Sequence, residues 1–247
     1  MKADPAAQRR LLDLQAVDTT LAQLAHRRRS LPELAEIARL EERVAALTGD
    51  LVRLETEVSD LAREERRLEV DVEQVRQRAA RDQERLNAGR VGSPKELESL
   101  QHEVGSLARR QSDLEDQILE LMERREEVQG GLDRLRGEAE SIGADRDAAA
   151  ARRDKIWGEI DGEVALGRRA RDAIVPDLPA ALVTLYEKLR EQSGGVGAAL
   201  LRGNRCEGCH LELPPSELAR VRAAPAEEVV RCEQCRRILL RTAESGL

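Results

Sequence analysis

Four cysteines are the residues whose type and spacing most directly predict chemistry in this 247-residue chain. They form two Cys-x-x-Cys pairs separated by 22 residues, and the chain has no other cysteine. The four are Cys206, Cys209, Cys232 and Cys235. Two intervening residues let both thiolates of a pair face one cation, and two such pairs complete the tetrahedral sulfur shell that Zn²⁺ prefers in structural sites. The spacing therefore predicts one structural zinc ion.

Other uses of these cysteines fit the sequence less well. A redox Cys-x-x-Cys needs a single pair in a βαβ context, and disulfides need an oxidising compartment that nothing in the sequence indicates. A catalytic zinc needs an open coordination position, which a shell of four thiolates does not leave. His210 follows Cys209 directly, but with four cysteines present we expect it to be a bystander. Gly208, inside the first pair, is expected to adopt a positive φ.

The segments around the cysteines predict a small domain that depends on the metal. Short apolar runs flank the two pairs and favour strands, and two amphipathic stretches favour short helices. The apolar runs span 196–201, 229–230 and 238–240, and the predicted helices span 179–192 and 214–221. Ser216 is the expected N-cap of the second helix. Because a region with so few core residues needs a metal to stabilise it, we predict a zinc-ribbon domain over residues 176–247.

The rest of the chain has the composition and the repeat of a coiled coil. Charged residues make up 36% and aromatic residues 1%, whereas 40% are hydrophobic, which is typical of long helices that bury a narrow seam. Between residues 37 and 86, the heptad a and d positions are apolar except at Glu65 and Asp82. Between 97 and 142 the exceptions are Gln111 and Arg125. The two series predict two long helices.

A helix-breaking segment separates the two series. It spans 87–94 and contains Gly89 and Gly92, followed by Ser93 and Pro94, which suit the cap and the first turn of a new helix. Two arms of similar length joined by a short turn predict an all-α, long antiparallel coiled-coil hairpin over residues 1–175. The alternative, a parallel dimer of one continuous rod, would place this turn in the middle of the seam. We therefore expect a monomer rather than an obligate dimer.

Two places along the hairpin predict an interruption or a bend. The segment from Ser30 to Glu33 has the pattern of a capping box with Pro32 in the first turn, so a first helix is expected to end there and a second to begin. In an antiparallel register Gly49 falls opposite Gly130 and its neighbour, which favours a bend at that level. The alternative is that these glycines are exposed and have no such role.

Two motifs make the chain similar to a known family. One is the run Ser-Pro-Lys-Glu-Leu-Glu-Ser-Leu-Gln-His-Glu at 93–103, and the other extends from Tyr186 through both cysteine pairs to Leu240. They resemble bacterial coiled-coil proteins with a C-terminal C4-type zinc ribbon, long described as predicted nucleic-acid-binding proteins or as a domain of unknown function. Members of that family typically have glycine where Arg236 stands and an aromatic residue where Leu240 stands.

The resemblance implies a function as well as a fold. It implies a non-enzymatic adaptor that engages proteins, with some members linked to transcription or secretion machinery, or a protein that binds nucleic acid. The first motif lies at the expected hairpin tip, where exposed loops often carry recognition. The candidate partner-binding residues are Ser93, Pro94, Lys95, Glu96 and Leu97. The alternative is that they only begin and solvate a helix.

Charge makes nucleic-acid binding the second hypothesis rather than the first. The net charge is −7, and from Gly195 onward eight Arg face seven Glu, so four thiolates and Zn²⁺ bring that region to −1. Nucleic-acid-binding proteins usually show a basic surface, and single-strand binders also present aromatic platforms, which this region lacks. A local basic patch keeps the hypothesis open. Its candidate residues are Arg231, Arg236, Arg237 and Arg241.

The sequence also bears on enzymatic activity and location. The chain has three His and contains no P-loop, GxSxG or HExxH motif, so we expect no enzymatic activity. No apolar run approaches the length of a transmembrane helix, and the first residues lack the apolar stretch of a signal peptide. We therefore expect a cytoplasmic protein.

Overall fold

The protein consists of long helices followed by a small region of short strands, and the computed structural model describes residues 1–246. The helices are α1 (Pro5–Arg29), α2 (Pro32–Asn87), α3 (Pro94–Ile174), α4 (Ala180–Gln192) and α5 (Pro215–Ala223), with 3₁₀ turns at Val175–Asp177 and Ala243–Ser245. The strands are β1 (Ala198–Arg202), β2 (Arg205–Cys206) and β3 (Ile238–Leu240). In the sheet, β1 lies between β2, to which it is antiparallel, and β3, to which it is parallel.

Helices α2 and α3 form the predicted antiparallel hairpin. Ion pairs cross between the two helices at the e and g positions that flank the seam, and residue numbers fall along α3 as they rise along α2. The pairs are Arg43–Glu138 (3.5 Å), Arg136–Glu55 (2.7 Å), Arg124–Glu57 (3.0 Å), Arg76–Glu115 (2.5 Å) and Arg78–Glu103. The turn between Asn87 and Pro94 is the one predicted from the glycines.

Two of the polar exceptions in the seam pair with each other. A guanidinium nitrogen of Arg125 on α3 lies 2.7 Å from a carboxylate oxygen of Glu65 on α2. The side chain of Glu65 is 10% exposed and that of Arg125 is 36% exposed, so the acid is buried while the base reaches solvent. A buried acid that finds its partner in only one alignment of the helices opposes slippage of the register.

The expected interruption after the first helix is present, but the capping box is not formed as predicted. Helix α1 ends at Arg29 and α2 begins at Pro32. The Ser30 hydroxyl donates to the His26 carbonyl, 3.0 Å away, and so satisfies the end of α1 rather than the beginning of α2. The break is therefore correct, whereas the role assigned to Ser30 is wrong.

The predicted glycine pair does not interrupt either helix of the hairpin. Helix α2 is continuous through Gly49, and α3 is continuous through Gly130 and Gly131. A Cβ built on Gly131 would lie 3.8 Å from Leu54, an ordinary contact, so glycine is not required there by crowding. Gly131 lies against Leu54 and not opposite Gly49, so the predicted facing of these glycines, and with it the argument for a bend at one level, is wrong.

The chain divides into two units whose limits differ from the predicted domain boundary at 175 and 176. One unit comprises Met1–Leu34 with the chain from Ala150 onward, and the other is Ala35–Ala149. Helix α1 packs on β1 and β3, and Leu11 and Leu14 share one buried cluster with Tyr186 and Ile238. The predicted boundary lies where the sequence pattern changes. It therefore missed that the first helix packs on the last strand.

Buried polar side chains join α1 to the C-terminal region. The Gln15 amide donates to the Gly195 carbonyl at 3.0 Å, and its oxygen accepts from the Gly197 N–H at 2.8 Å. The buried Asp18 carboxylate accepts from the Tyr186 hydroxyl at 2.8 Å and from Arg171 Nε at 2.9 Å. Burial and the Asp18 hydrogen bond raise the pKa of Tyr186 above its usual range. These bonds satisfy groups that would otherwise be costly to bury.

Candidate metal centre and partner surfaces

The four cysteines converge on one point at the end of the sheet. All four Sγ atoms lie within 4.8 Å of one another, with 3.8 Å between Cys206 and Cys235 and 4.0 Å between Cys209 and Cys232. A tetrahedral site with Zn–S bonds of about 2.3 Å needs sulfur atoms about 3.8 Å apart. The donor set and its spacing therefore fit one structural Zn²⁺, as the sequence predicts.

Both Cys-x-x-Cys turns are built by the same pair of backbone hydrogen bonds. In the first, the N–H of His210 donates to the Cys206 carbonyl at 2.7 Å, and in the second, the N–H of Arg236 donates to the Cys232 carbonyl at 2.8 Å. The N–H of each leading cysteine then pairs with the carbonyl five residues later, 3.0 Å away in both turns. The two halves of the site are thus equivalent in their backbone.

The positive φ expected at Gly208 falls on other residues. It occurs directly after each pair, at His210 (φ 61°) and Arg236 (φ 67°), and Gly208 is not among the positive-φ residues. A Cβ on Gly208 would instead lie 2.7 Å from Arg237 Cδ and 2.8 Å from Ala199 Cβ. Glycine is needed there because of close packing. His210 itself points to solvent, with Nδ1 3.9 Å from Glu207.

The surroundings of the thiols explain why the site depends on a cation. Burial raises the pKa of the Cys206 thiol above its usual range, against hydrogen bonds from the N–H groups of Cys209 and Gly208. Burial likewise raises the pKa of Cys232 to about 11. Burial acts in the same direction on Cys235, but the Arg237 N–H and the neighbouring thiols together lower its pKa. A bound cation would favour the thiolate form of these buried ligands, so metal binding releases protons.

Arg237, one of the four arginines of the candidate nucleic-acid patch, is used within the protein. Its Nε donates to the Val196 carbonyl at 2.9 Å, and its two terminal nitrogens donate to the carbonyls of Gly208 and Ser193, each at 2.7 Å. The guanidinium group thus joins the first cysteine turn to the loop before β1. Its donors point at backbone carbonyls rather than at solvent.

Arg241 has a similar structural role at the other side of the sheet. Its guanidinium nitrogens donate to the carbonyls of Ala224, Pro225 and Glu228 at distances of 2.7 to 2.8 Å. These hydrogen bonds hold together the loop that connects α5 to the second cysteine turn.

Arg231 and Arg236, the other two arginines, lie on one surface. Together with Arg220 they line a shallow depression of about 260 Å³ beside Cys232. Arg220 pairs with Glu233 at 2.5 Å, whereas neither Arg231 nor Arg236 has an ion-pair partner in residues 1–246. The structure therefore brings two of the four predicted arginines together, in a depression that Glu228 and Glu233 also line.

Glu217 supports the second cysteine turn and was not singled out by the sequence. It is a buried residue of α5, and its carboxylate accepts from the Glu233 N–H, inside the turn, at 2.8 Å. From the sequence, a glutamate in the first turn of a short helix is ordinarily expected to interact only with the positive end of the helix dipole. Only the packing of α5 against the turn reveals this contact.

The residues of the hairpin tip are exposed and preorganised. The Ser93 hydroxyl accepts from the Glu96 N–H at 3.3 Å, and the Glu96 carboxylate accepts from the Gly92 N–H at 2.9 Å. Pro94 and Lys95 are exposed, and Leu97 is 40% exposed. Ser93 and Glu96 thus hold the turn in shape, while Lys95 and Leu97 face solvent.

The fold and the metal centre together define a class of protein: a coiled-coil hairpin followed by a zinc ribbon with four cysteine ligands. Family comparison agrees with this class. The chain belongs to the family of the CT398-like coiled coil hairpin domain, whose model matches residues 14–194, and the model of the C4-type zinc ribbon domain matches residues 205–239.

Proteins similar to this chain come from several bacteria. An uncharacterised protein of Mycobacterium tuberculosis is 39% identical over 241 residues, which is 98% of both chains. A solved structure from Mycobacterium smegmatis is 37% identical with a TM-score of 0.86, covering 98% of this chain and 100% of that one. The structure of CT398 from Chlamydia trachomatis, 21% identical with a TM-score of 0.66 over 95% and 97% of the two chains, shares the fold.

Among residues 1–246, none of the helices combines the length and the apolar character needed to cross a bilayer.

Proposed function

We propose that this protein is a non-enzymatic adaptor that binds a protein partner at the tip of its coiled-coil hairpin. The observation that carries the proposal is the exposure of Leu97. This residue occupies a seam position of α3, but α2 ends at Asn87 and the antiparallel register brings Leu97 level with Gly89, which has no side chain. Leu100, one step further along the seam, is buried. Leu97 is thus an apolar seam residue on which no side chain of the facing segment packs.

The shape of the tip supports recognition rather than random exposure. The bonds made by Ser93 and Glu96 hold the turn in one conformation, so a partner would lose little conformational entropy on ordering it. Lys95 adds a cation beside the apolar side chain of Leu97. An apolar contact with a neighbouring charge favours a protein surface as the partner. Membership of transcription or secretion assemblies is one form that such an adaptor role would take.

The zinc site supports a structural rather than a catalytic role for the metal. Four thiolates leave no coordination position for a water or a substrate, so the ion would act by holding the ribbon together. We therefore include the absence of enzymatic activity in the proposal.

The test changes the two exposed tip residues and leaves the two that shape the turn. We expect a Lys95→Ala, Leu97→Ser double variant to capture at least tenfold less partner than the parent from nuclease-treated extract of the native cell. The matched control is Leu119→Ser, which alters a leucine that is 57% exposed on α3 away from the tip. Equal capture by the double variant and the parent, with helicity unchanged, would exclude the tip as the contact.

Nucleic-acid binding is a second candidate function, favoured because Arg231 and Arg236 lie on one surface. Since Arg237 and Arg241 donate to backbone carbonyls, few phosphate contacts are available. We expect weak binding to nucleic acid, with an affinity that depends only slightly on salt concentration. The Arg231→Ala, Arg236→Ala double variant should not bind. A gel-shift titration of the zinc-loaded chain with single- and double-stranded RNA and DNA measures it. Nanomolar affinity at physiological salt would make this the primary function.

A further inference from the structure

A groove between α1 and the C-terminal part of α3 has no role in the functions discussed so far. It lies within the unit that contains the ribbon and has a volume of about 510 Å³. Its floor is apolar and consists of Leu21, Ala22 and Ala25 from α1 with Ile160 and Val164 from α3. These residues recur every three or four positions, so each helix presents one continuous stripe to the groove.

The groove differs from the flanks of the α2–α3 seam. There, ion pairs such as Arg136–Glu55 and Arg76–Glu115 cross above the apolar residues. In the groove, Ala22 and Ala25 line the α1 side in place of such charged residues, and both are exposed. Because alanine is short, the groove has room for large apolar side chains from outside.

The charged residues of the groove leave an excess of positive charge. Asp161 pairs with Arg28 at one end, and Asp18 pairs with Arg171 (2.9 Å) and Arg190 (3.3 Å) at the other. Arg168 lines the groove between them and has no ion-pair partner in residues 1–246. Arg171 and Arg190 also pair with Glu187, so Asp18, Asp161 and Glu187 match three of the four arginines, and Arg168 leaves one net positive charge in the groove. The complementary ligand carries negative charge.

We propose that this groove binds one amphipathic helix of a partner protein, with leucine-type side chains on the buried face and acidic residues along its flank. From Asp18 to Arg28 the groove follows about 15 Å of α1, the length of roughly three helical turns. A helix of that length places three or four apolar side chains at i, i+3, i+4 and i+7 into such a floor. It would complete a three-helix arrangement over Ile160 and Leu21.

Trp157 provides a natural reporter at one end of the groove. The guanidinium of Arg28 lies 4.8 Å from the centroid of its ring, and the indole N–H donates to the Arg28 carbonyl at 3.2 Å. It is the single tryptophan of the chain. An acidic residue that draws Arg28 towards the groove changes this stacking, and so it changes the tryptophan fluorescence.

The first experiment identifies what occupies the groove. A photo-crosslinking amino acid replaces Ala25 in the full chain, and the adducts formed in extract of the native cell are digested and sequenced. The matched control places it at Leu166, which is 65% exposed and lies on the opposite face of α3. We expect adducts at Ala25 to contain segments with apolar residues at helical spacing and an excess of Asp and Glu. Adducts no more abundant than at Leu166, segments without acidic excess, or a second copy of this chain would overturn the proposal.

The second experiment tests the charge. A synthetic peptide of the crosslinked segment is titrated against the full chain, with Trp157 fluorescence as the readout. We expect Arg168→Glu to weaken binding at least tenfold and Arg168→Lys to leave it nearly unchanged. Arg169→Glu makes the same change of charge on the opposite face of α3 and should have little effect. Equal weakening by both glutamate variants would mean that net charge, and not the groove, drives binding. The Lys95→Ala, Leu97→Ser variant of the hairpin tip should bind the peptide as the parent does. The groove proposal and the tip proposal can therefore fail separately.

Discussion

The residues that follow each cysteine pair occupy backbone conformations that their side chains disfavour. His210 and Arg236 both have φ above 60°, in the left-handed region where a Cβ costs about 1 kcal/mol or more. In this chain the two backbone hydrogen bonds of each turn hold the strained residue in place.

We expect Arg236→Gly to tighten zinc binding about fivefold, because removing about 1 kcal/mol of strain from the folded, metal-bound state favours that state by this factor. Competition with a chromophoric chelator measures the affinity of the full chain for zinc.

Arg236→Ala is the control, since it removes the same charge but keeps a Cβ at φ 67°. Its zinc affinity should stay near that of the parent. If alanine and glycine tighten binding equally, the charge of Arg236 and not the backbone strain is responsible.

At the scale of the helices, the register of the hairpin depends on one buried ion pair more than on the many exposed ones. The pairs at the e and g positions are about half exposed, and pairs of that kind contribute little individually. Glu65 is buried in the seam, so losing Arg125 would leave an acid without compensation. Any other alignment of the two helices would also separate Glu65 from Arg125 and leave the buried acid without compensation.

We expect a double-mutant cycle of Glu65→Leu and Arg125→Leu to give a coupling free energy of about 1–3 kcal/mol. Arg125→Leu alone should destabilise the hairpin more than Glu65→Leu alone, because an isolated Arg125 can still reach solvent. Urea unfolding of the full chain, followed by circular dichroism, measures the free energies.

The comparison pair is Arg136 and Glu55, whose side chains are 49% and 48% exposed. Its coupling should be below about 0.5 kcal/mol. Coupling of the same size in both pairs would show that burial of Glu65 does not matter to the register.

The sequence predicts those elements whose determinants lie close together along the chain. The heptad repeat and the glycine turn specify the hairpin, and the Cys-x-x-Cys spacing specifies the ligands. The pairing of Glu65 with Arg125 is not predicted, because the sequence shows each only as a polar exception in its own helix and does not give the alignment of the two helices. Arg237 and Arg241 were predicted as surface cations, since nothing in the sequence reveals that carbonyls from distant loops surround them. The packing of α1 on the ribbon is equally non-local.

The whole molecule contains two units that are stabilised by different means. Unit Ala35–Ala149 is a hairpin whose apolar seam buries Leu61, Val72, Leu100 and Leu114 and requires no metal. The other unit has a short sheet, and its second cluster packs Cys206 and Cys232 against Leu201 and Val221. The cluster around the cysteines contains seven buried residues, so the cysteine turns rely on the cation to offset the entropy of ordering their loops.

Zinc removal should therefore separate the stabilities of the two units. We expect a strong chelator, or a Cys232→Ser variant, to abolish amide-exchange protection over β1, β3 and the cysteine turns, and to reduce it in α1, which packs on those strands. Protection between residues 54 and 86 and between 100 and 128 should remain, because that seam belongs to the other unit and contains none of the four cysteines. Far-ultraviolet circular dichroism should accordingly lose only a small fraction of its helical signal. Readdition of zinc should restore protection in the ribbon and in α1. Loss of protection in the hairpin at the same chelator concentration as in the ribbon would contradict the separate stabilisation of the two units.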